Sequence, residues 1–322
     1  MRTGNHLKRT MAVLRILEEK TDSDHRITMD ELIAELDEAG ISAERKSVYA
    51  SIDALKESGH KIVFSRAGGI QGYYIEHMFS LSQAMLICDA AAGSPSLSRK
   101  QTAEMISAVN ERLSIYQRKA VVPFQLCQTK TDNDHVMQIM ELLLKAIAGA
   151  HPVEFRYYDL TVSKKKEYRR NSQIYHLNPY AVMSFEGRYY CVLWSEKHRS
   201  FANYRIDKME SAKVLEDTFD PLPFDPASWR RTSFHAYRGK AQTVVIRFDL
   251  SMANIVFDEF GDDIIISQTD STSFTASIRT SVTPTLISWL LMFTGRLTVL
   301  KPAELISELL ATAQTLEKTY NN

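Results

Sequence analysis

Cysteine is scarce and scattered in this chain. Cys88, Cys127 and Cys191 are the only three in 322 residues, and no CxxC pair occurs among them. That spacing excludes a disulfide framework and a thiolate zinc site, and it points to a reducing compartment. Long apolar runs are also missing, since VVIRFDL and ISWLLMF are short or interrupted. A membrane span needs roughly 20 consecutive apolar residues, so none is expected. The first residues, MRTGNHLKRT, are polar and hold no apolar signal core. A cytoplasmic protein is expected. Net charge is absent too, with 39 basic against 39 acidic residues. This argues against a polybasic coat for nucleic acid but leaves room for local patches. No HExxH, GxSxG, Walker-type or paired-carboxylate pattern appears, so neither an enzyme nor a cofactor is expected.

What is present is organised in blocks. Residues 1–77 read as three helices and a hairpin. Apolar positions 7, 11, 14 and 17 make a helical stripe, and Thr28 with Glu31 forms a capping box that opens a second helix ended by Gly40. Ser42 is expected to cap a third helix, with Val48, Ile52 and Leu55 on its buried face and Gly59 at its end. HKIVFSRAGGIQGYYIEH follows as two strands around a glycine turn. This is the winged helix-turn-helix arrangement. It places Arg45, Lys46, Ser47 and Tyr49 on the groove-entering helix and Arg66 at the wing tip, as candidate contacts to double-stranded DNA. The block is not basic overall, with 11 Lys/Arg against 13 Asp/Glu, so a protein-binding role is the alternative.

Residues 78–132 read as a helical linker. One helix is expected over SLSQAMLICDAAA and a second over LSRKQTAEMISAVNERLSIYQRK, separated at Gly93 to Pro95, before a short extended VVPFQL. Residues 133–222 read as a helix followed by a small, bent antiparallel sheet. Within it, NPYAVMSFEGRYYCVLWSEKHRSFANYRIDKM alternates apolar and polar residues over three strands, with Gly187 in the first turn and Glu196 to Arg199 in the second. Residues 156–213 carry 12 Lys/Arg against 6 Asp/Glu. The sheet displays cations and aromatics together: His176, Arg188, Tyr189, Tyr190, Tyr204, Arg205 and Lys208. That combination suits an anionic, flat ligand such as a nucleotide or single-stranded nucleic acid.

Period-two geometry sends Tyr189 and Tyr190 to opposite faces, and it gives Lys208 the parity of Tyr204 and not that of Arg205. Arg205 has Asp207 and Glu186 as alternative partners. The charged run over residues 159–172 reads most simply as a solvated turn, with a phosphate contact from Lys164 to Lys166 as the sharper reading. Residues 223–322 read as strand, helix, strand, strand and helix, a small α+β extension of ferredoxin-like type.

The order of motifs NP-Y-x-V, G-R-Y-Y-C, F-x-x-Y-R-I-D-K-M, VVIRFDL, WLLMFTG and LKP resembles the bacterial WYL-domain transcriptional regulators. The resemblance implies a multidomain α+β chain: winged helix-turn-helix, helical linker, Sm-like WYL sensor sheet and a WCX-type extension. The family's Trp-Tyr-Leu is here Tyr189-Tyr190-Cys191. Its Phe-Arg-Leu-Asp-Arg-Ile is here Tyr204 to Met209, with Arg205 kept and Lys208 for the second arginine. Lysine keeps the charge but not the bidentate fork. Where relatives carry Arg-Asp in the recognition helix, this chain has Ala50-Ser51. The resemblance further implies an operator-binding homodimer that senses an anionic effector. A ligand-responsive protein-binding adaptor is the alternative.

Overall fold

A computed structural model describes residues 2–69, 71–123, 129–232, 241–262 and 264–321, and the chain divides into two compact units, Met1–Met137 and Gln138–Asn322. Among the described residues no helix is long and apolar enough to cross a membrane.

The first unit opens with α1 (Arg2–Lys20), α2 (Met29–Glu38) and α3 (Arg45–Glu57), then the antiparallel hairpin of β1 (Ile62–Ser65) and β2 (Gly72–Ile75). Their apolar stripes meet in one core built on Val13, Leu17, Leu32, Leu36, Val48 and Ile52. Thr28 closes the expected capping box with Glu31. The cap of α3 is Glu44, two residues beyond the expected Ser42, and it makes no side-chain cap bond. Gly68 and Gly69 sit at φ 68° and 76° in the hairpin turn, a region open to glycine without strain. Ile27 bridges Tyr73, so the segment before α2 extends the hairpin edge.

Three helices follow: α4 (Leu81–Gly93), α5 (Arg99–Asn110) and α6 (Ile115–Ala120). Ser80, Ser98 and Ser114 each close a capping box with the glutamine three residues on. The single helix expected over residues 97–119 is therefore two. Ser114 and Gln117 satisfy the free N–H groups of a new helix start, which ends the preceding run. The second half of VVPFQL, residues 124–126, lies outside the described residues.

The second unit begins within α7 (Val136–Gly149), which delivers the chain into a six-stranded antiparallel sheet. Its strands are β3 (Val153–Leu160), β4 (Lys166–Tyr168), β5 (Tyr175–Phe185), β6 (Arg188–Ser195), β7 (Ser200–Arg205) and β8 (Met209–Val214). The order is β4-β3-β5-β6-β7, with β8 on the other edge of β3. Register breaks at Pro179/Ala181 and Glu154/Arg156 bend it, as bulges do. Gly187 at φ 71° and Glu186 at φ 50° form the tight β5–β6 turn.

A short helix, α8 (Pro226–Thr232), leads to the last layer: β9 (Ala241–Asp249), α9 (Ala253–Phe260), β10 (Ile265–Thr269), β11 (Ser273–Ser281), α10 (Pro284–Met292), β12 (Leu297–Lys301) and α11 (Ala303–Tyr320). Its sheet is antiparallel in the order β10-β11-β9-β12. Phe248, Ile246, Phe274, Trp289 and Leu305 form its core.

Candidate ligand site on the central sheet

Strand register decides which predicted residues meet. Tyr190 lies directly opposite Arg205, and Arg188 opposite Phe185. Opposed residues of antiparallel strands project to one face, so Arg188, Tyr190 and Arg205 stand together. Their centre is Asp207, only 4% exposed. Arg205 clamps it with Nε donating to Oδ1 at 3.0 Å and an η nitrogen donating to Oδ2 at 2.6 Å. Arg188 adds a second cation 3.7 Å from the same Oδ2. The partner weighed for Arg205 in the sequence is thus the one it takes. A guanidinium fork on a carboxylate is also the geometry that binds phosphate. Phe185 meets Tyr190 edge-on at 5.7 Å, which gives the cations an aromatic border.

Tyr189 and Tyr204 have the opposite parity. Tyr204 faces a cluster of rings, with centroids 5.8 Å from Phe155, 5.3 Å from Tyr157 and 5.7 Å from Tyr175. Burial pushes the Tyr204 hydroxyl above its usual value. The Arg170 guanidinium lies 4.6 Å over the Tyr175 ring and that of Arg169 lies 5.1 Å over Tyr157. Sequence reading missed both cations, because the run that carries them does not form one solvated turn. It contains β4 and a turn with Arg170, Asn171 and Ser172 at φ 54°, 52° and 65°. Lys166, offered as a phosphate contact, donates to Glu210 at 2.8 Å and covers the Tyr158 ring.

Lys208 is separated from the Arg205 group. The chain leaves β7 at Arg205 and turns through a 3-10 helix over Ile206–Lys208, so strand parity ends there. Its Nζ donates to Asp159 at 2.6 Å, beside Arg169, which holds the other oxygen of that carboxylate. Those two partners outweigh the effect of burial and keep the Asp159 carboxyl below its usual value, with Arg169 contributing most. His176 is exposed on β5, opposite Glu154.

In the first unit, Arg45, Lys46 and Tyr49 are exposed along the outer side of α3, while Val48, Ser51, Ile52 and Leu55 are buried. Arg45 pairs with Asp30. Ser47 Oγ donates to the Glu44 carbonyl at 2.7 Å, so it is spent within its own helix turn. Arg66 is exposed and sits 5.6 Å over Phe64. Among the described residues no group of three or more His, Cys, Asp or Glu side chains is placed to hold a metal ion.

Residues 138–214 match the family model "WYL domain", and residues 240–316 match "WCX domain". No curated protein matches the chain in sequence. Among solved structures, the proteasome accessory factor B/C (PafBC) of Arthrobacter aurescens aligns at 14% identity with a TM-score of 0.29. That alignment covers 98% of this chain but spans only 49% of the PafBC chain. A CRISPR Cas-related protein aligns at 9% identity and a TM-score of 0.24, covering 98% of this chain and 92% of the other. At such scores neither likeness carries weight for fold or function.

Proposed function

We propose that this chain, in which a WYL domain is followed by a WCX domain, is a transcriptional regulator that binds DNA through its first three helices and takes up an anionic effector on its central sheet. The effector class is a nucleotide or single-stranded nucleic acid. One observation carries the reading: a forked guanidinium, Arg205, and a second cation, Arg188, already grip an internal carboxylate beside Tyr190. Asp207 occupies the place that a phosphate oxygen takes in an Arg–phosphate pair.

The first unit is read as a winged helix-turn-helix. Its α3 offers Arg45, Lys46 and Tyr49 outward, and its hairpin turn offers Arg66. In a homodimer, one such helix per half-site reads a near-palindromic operator. The last layer is read as ferredoxin-like. To turn a mostly free population into a mostly bound one, the effector must prefer one state by about 5 kcal/mol. Two or three charge-assisted contacts per subunit, at about 1.5–3 kcal/mol each, supply that. No catalytic step is assigned.

A gel shift against the chain's own promoter region tests the DNA half of the reading, with salt-sensitive, sequence-specific retardation expected. A thermal-shift panel of nucleotides and oligonucleotides, repeated on Arg205→Ala, tests the sensor half. A stabilisation that survives Arg205→Ala unchanged removes this site. One observation favours the adaptor alternative: Arg45, the first residue of α3, is tied to Asp30 instead of standing free. Absence of any specific shift would put that alternative first.

A further inference from the structure

The chain that leaves the central sheet folds back over the face that carries Arg188, Tyr190 and Arg205. Phe224 and Trp229 pack on Phe201 of β7, at 5.0 and 5.4 Å between centroids. Trp229 is 5% exposed and joins Met183 and Val192 in one apolar cluster. Its Nε1 donates to Asn203 Oδ1 at 3.1 Å, which fixes the rotation of α8 on the sheet. The next residue, Arg230, is exposed, and its guanidinium lies 6.0 Å over the Phe185 ring. Phe185 is the register partner of Arg188 and the edge-on neighbour of Tyr190. A residue 25 positions beyond Arg205 is thereby brought to the rim of the same group.

We infer that Arg230 is the third cation of this site and that the site recognises a terminal phosphate, a phosphomonoester, in preference to an internal phosphodiester. The inference rests on the anion-site reading above. Charge decides the class. Arg188, Arg205 and Arg230 stand against the single buried carboxylate of Asp207, with Glu186 exposed on the adjoining turn. A phosphodiester brings one negative charge, whereas a monoester brings about 1.5–2 near neutral pH and three acceptor oxygens. Arg205 and Arg188 are already engaged with Asp207, so the second charge needs a cation held by no carboxylate. Among the described residues no acidic group lies within ion-pair distance of Arg230, and the contact it makes is the weak one to Phe185. A guanidinium so placed swings to a phosphate with little to give up. Because α8 also packs on β11 of the last layer, a ligand drawn against Arg230 acts on that layer as well.

The test uses the full chain and hexathymidylate labelled at its 3′ end, carrying either a 5′-phosphate or a 5′-hydroxyl, in fluorescence anisotropy titrations. The wild type is expected to prefer the phosphorylated strand by about tenfold, the worth of one charge-assisted contact. Arg230→Ala should erase that preference while leaving the affinity for the hydroxyl strand within about twofold, since only the phosphate arm is touched. Arg230→Lys should restore part of it. Arg205→Ala should weaken both strands. Equal preference in Arg230→Ala and wild type overturns the role of Arg230, and so does a wild type indifferent to the phosphate, while loss of both strands in Arg205→Ala would still uphold the site. Failure of both strands to bind the wild type overturns the site itself.

Discussion

The imidazole of His25 lies flat on the ring of Tyr116, with 3.7 Å between centroids and 4° between planes. The stack joins the segment after α1 to α6, and a buried carboxylate locks it in place. Asp22 Oδ1 accepts from His25 Nδ1 at 2.8 Å, and its Oδ2 accepts from Ser114 Oγ at 2.5 Å. His77 adds a third tie, its ring nitrogens 2.7 Å from the Thr21 carbonyl and 3.1 Å from that of Arg112. The three-helix head and the helices after it are therefore coupled through polar contacts and one stack, within a single unit.

Burial alone would raise the Asp22 carboxyl, but hydrogen bonds from Ser114, His25 and the backbone of Asp24 outweigh it and hold it below the usual value. A depressed folded-state value means the carboxylate stabilises the fold above its unfolded value, about 3.9, and that this is lost as pH falls through the lower folded value. Ser114→Ala removes both a donor to Asp22 and the cap of α6. The expected loss is about 1–3 kcal/mol, with acid unfolding moved to higher pH. Hydrogen exchange over residues 112–120 should rise in the same variant. An unchanged acid midpoint would show that Asp22 does not depend on Ser114.

At the ligand site, the carboxylate of Asp207 competes with any phosphate for Arg205. Asp207→Asn is expected to tighten binding of a 5′-phosphorylated oligonucleotide by about threefold to tenfold, since it removes a competing charge. Arg205→Ala takes the forked guanidinium from the buried carboxylate and leaves Arg188 at the longer distance of 3.7 Å. It should destabilise the chain by about 2–4 kcal/mol, below the figure for a fully enclosed pair because a quarter of the Arg205 side chain meets solvent. Weaker binding in Asp207→Asn would mean that this carboxylate orients the cations and does not compete for them.

Much of this arrangement was legible in the chain, and the remainder follows a pattern. Thr28 with Glu31, Gly187 in its turn, and the alternation along β5, β6 and β7 are local signals, and the structure places those elements where the residues ask for them. The helix break at Ser114 was equally local, a Ser-x-x-Gln box hidden inside an amphipathic run. Lys208 was grouped with the cations of the sheet although strand parity set it with Tyr204 and not with Arg205; the chain turns at Ile206, and parity has no meaning past a strand end. Arg170 over Tyr175 and Arg230 over Phe185 are tertiary meetings across a turn and a return segment. No spacing rule reaches such pairs.

The turn that carries Arg170 offers a stability test. Arg170, Asn171 and Ser172 hold φ near +54°, +52° and +65°, and none is glycine. A left-handed conformation costs an L-residue about 1–2 kcal/mol, which glycine avoids, while glycine's greater unfolded-state freedom returns part of that gain. Ser172→Gly should therefore raise stability by about 0.5–1 kcal/mol, and Asn171→Gly by less, since asparagine tolerates this region. Thermal unfolding of the three chains in parallel decides it. A drop in Tm for Ser172→Gly would show that the serine is held there by something other than its backbone angles.

Tyr157 links the ring cluster to the cation site. Its hydroxyl accepts from the backbone N–H of Arg205 at 3.1 Å. Burial pushes that hydroxyl well above the usual tyrosine range, against smaller opposing effects from the Arg205 N–H and from the charges of Arg169 and Arg205. A raised folded-state value for an acid means its contribution is complete below the unfolded value, about 10, and fades as pH climbs towards the folded one. The wild type should lose stability steeply above about pH 10, measured by denaturant unfolding at fixed pH steps. Tyr157→Phe should flatten that alkaline slope without abolishing it, because Tyr204 is also raised by burial. At neutral pH the same variant leaves the Arg205 N–H without its acceptor, at a cost of about 1–2 kcal/mol. If the alkaline slope were the same in both chains, the Tyr157 hydroxyl would have to ionise freely in the folded state, and the enclosed ring cluster beneath Arg169 would be wrong.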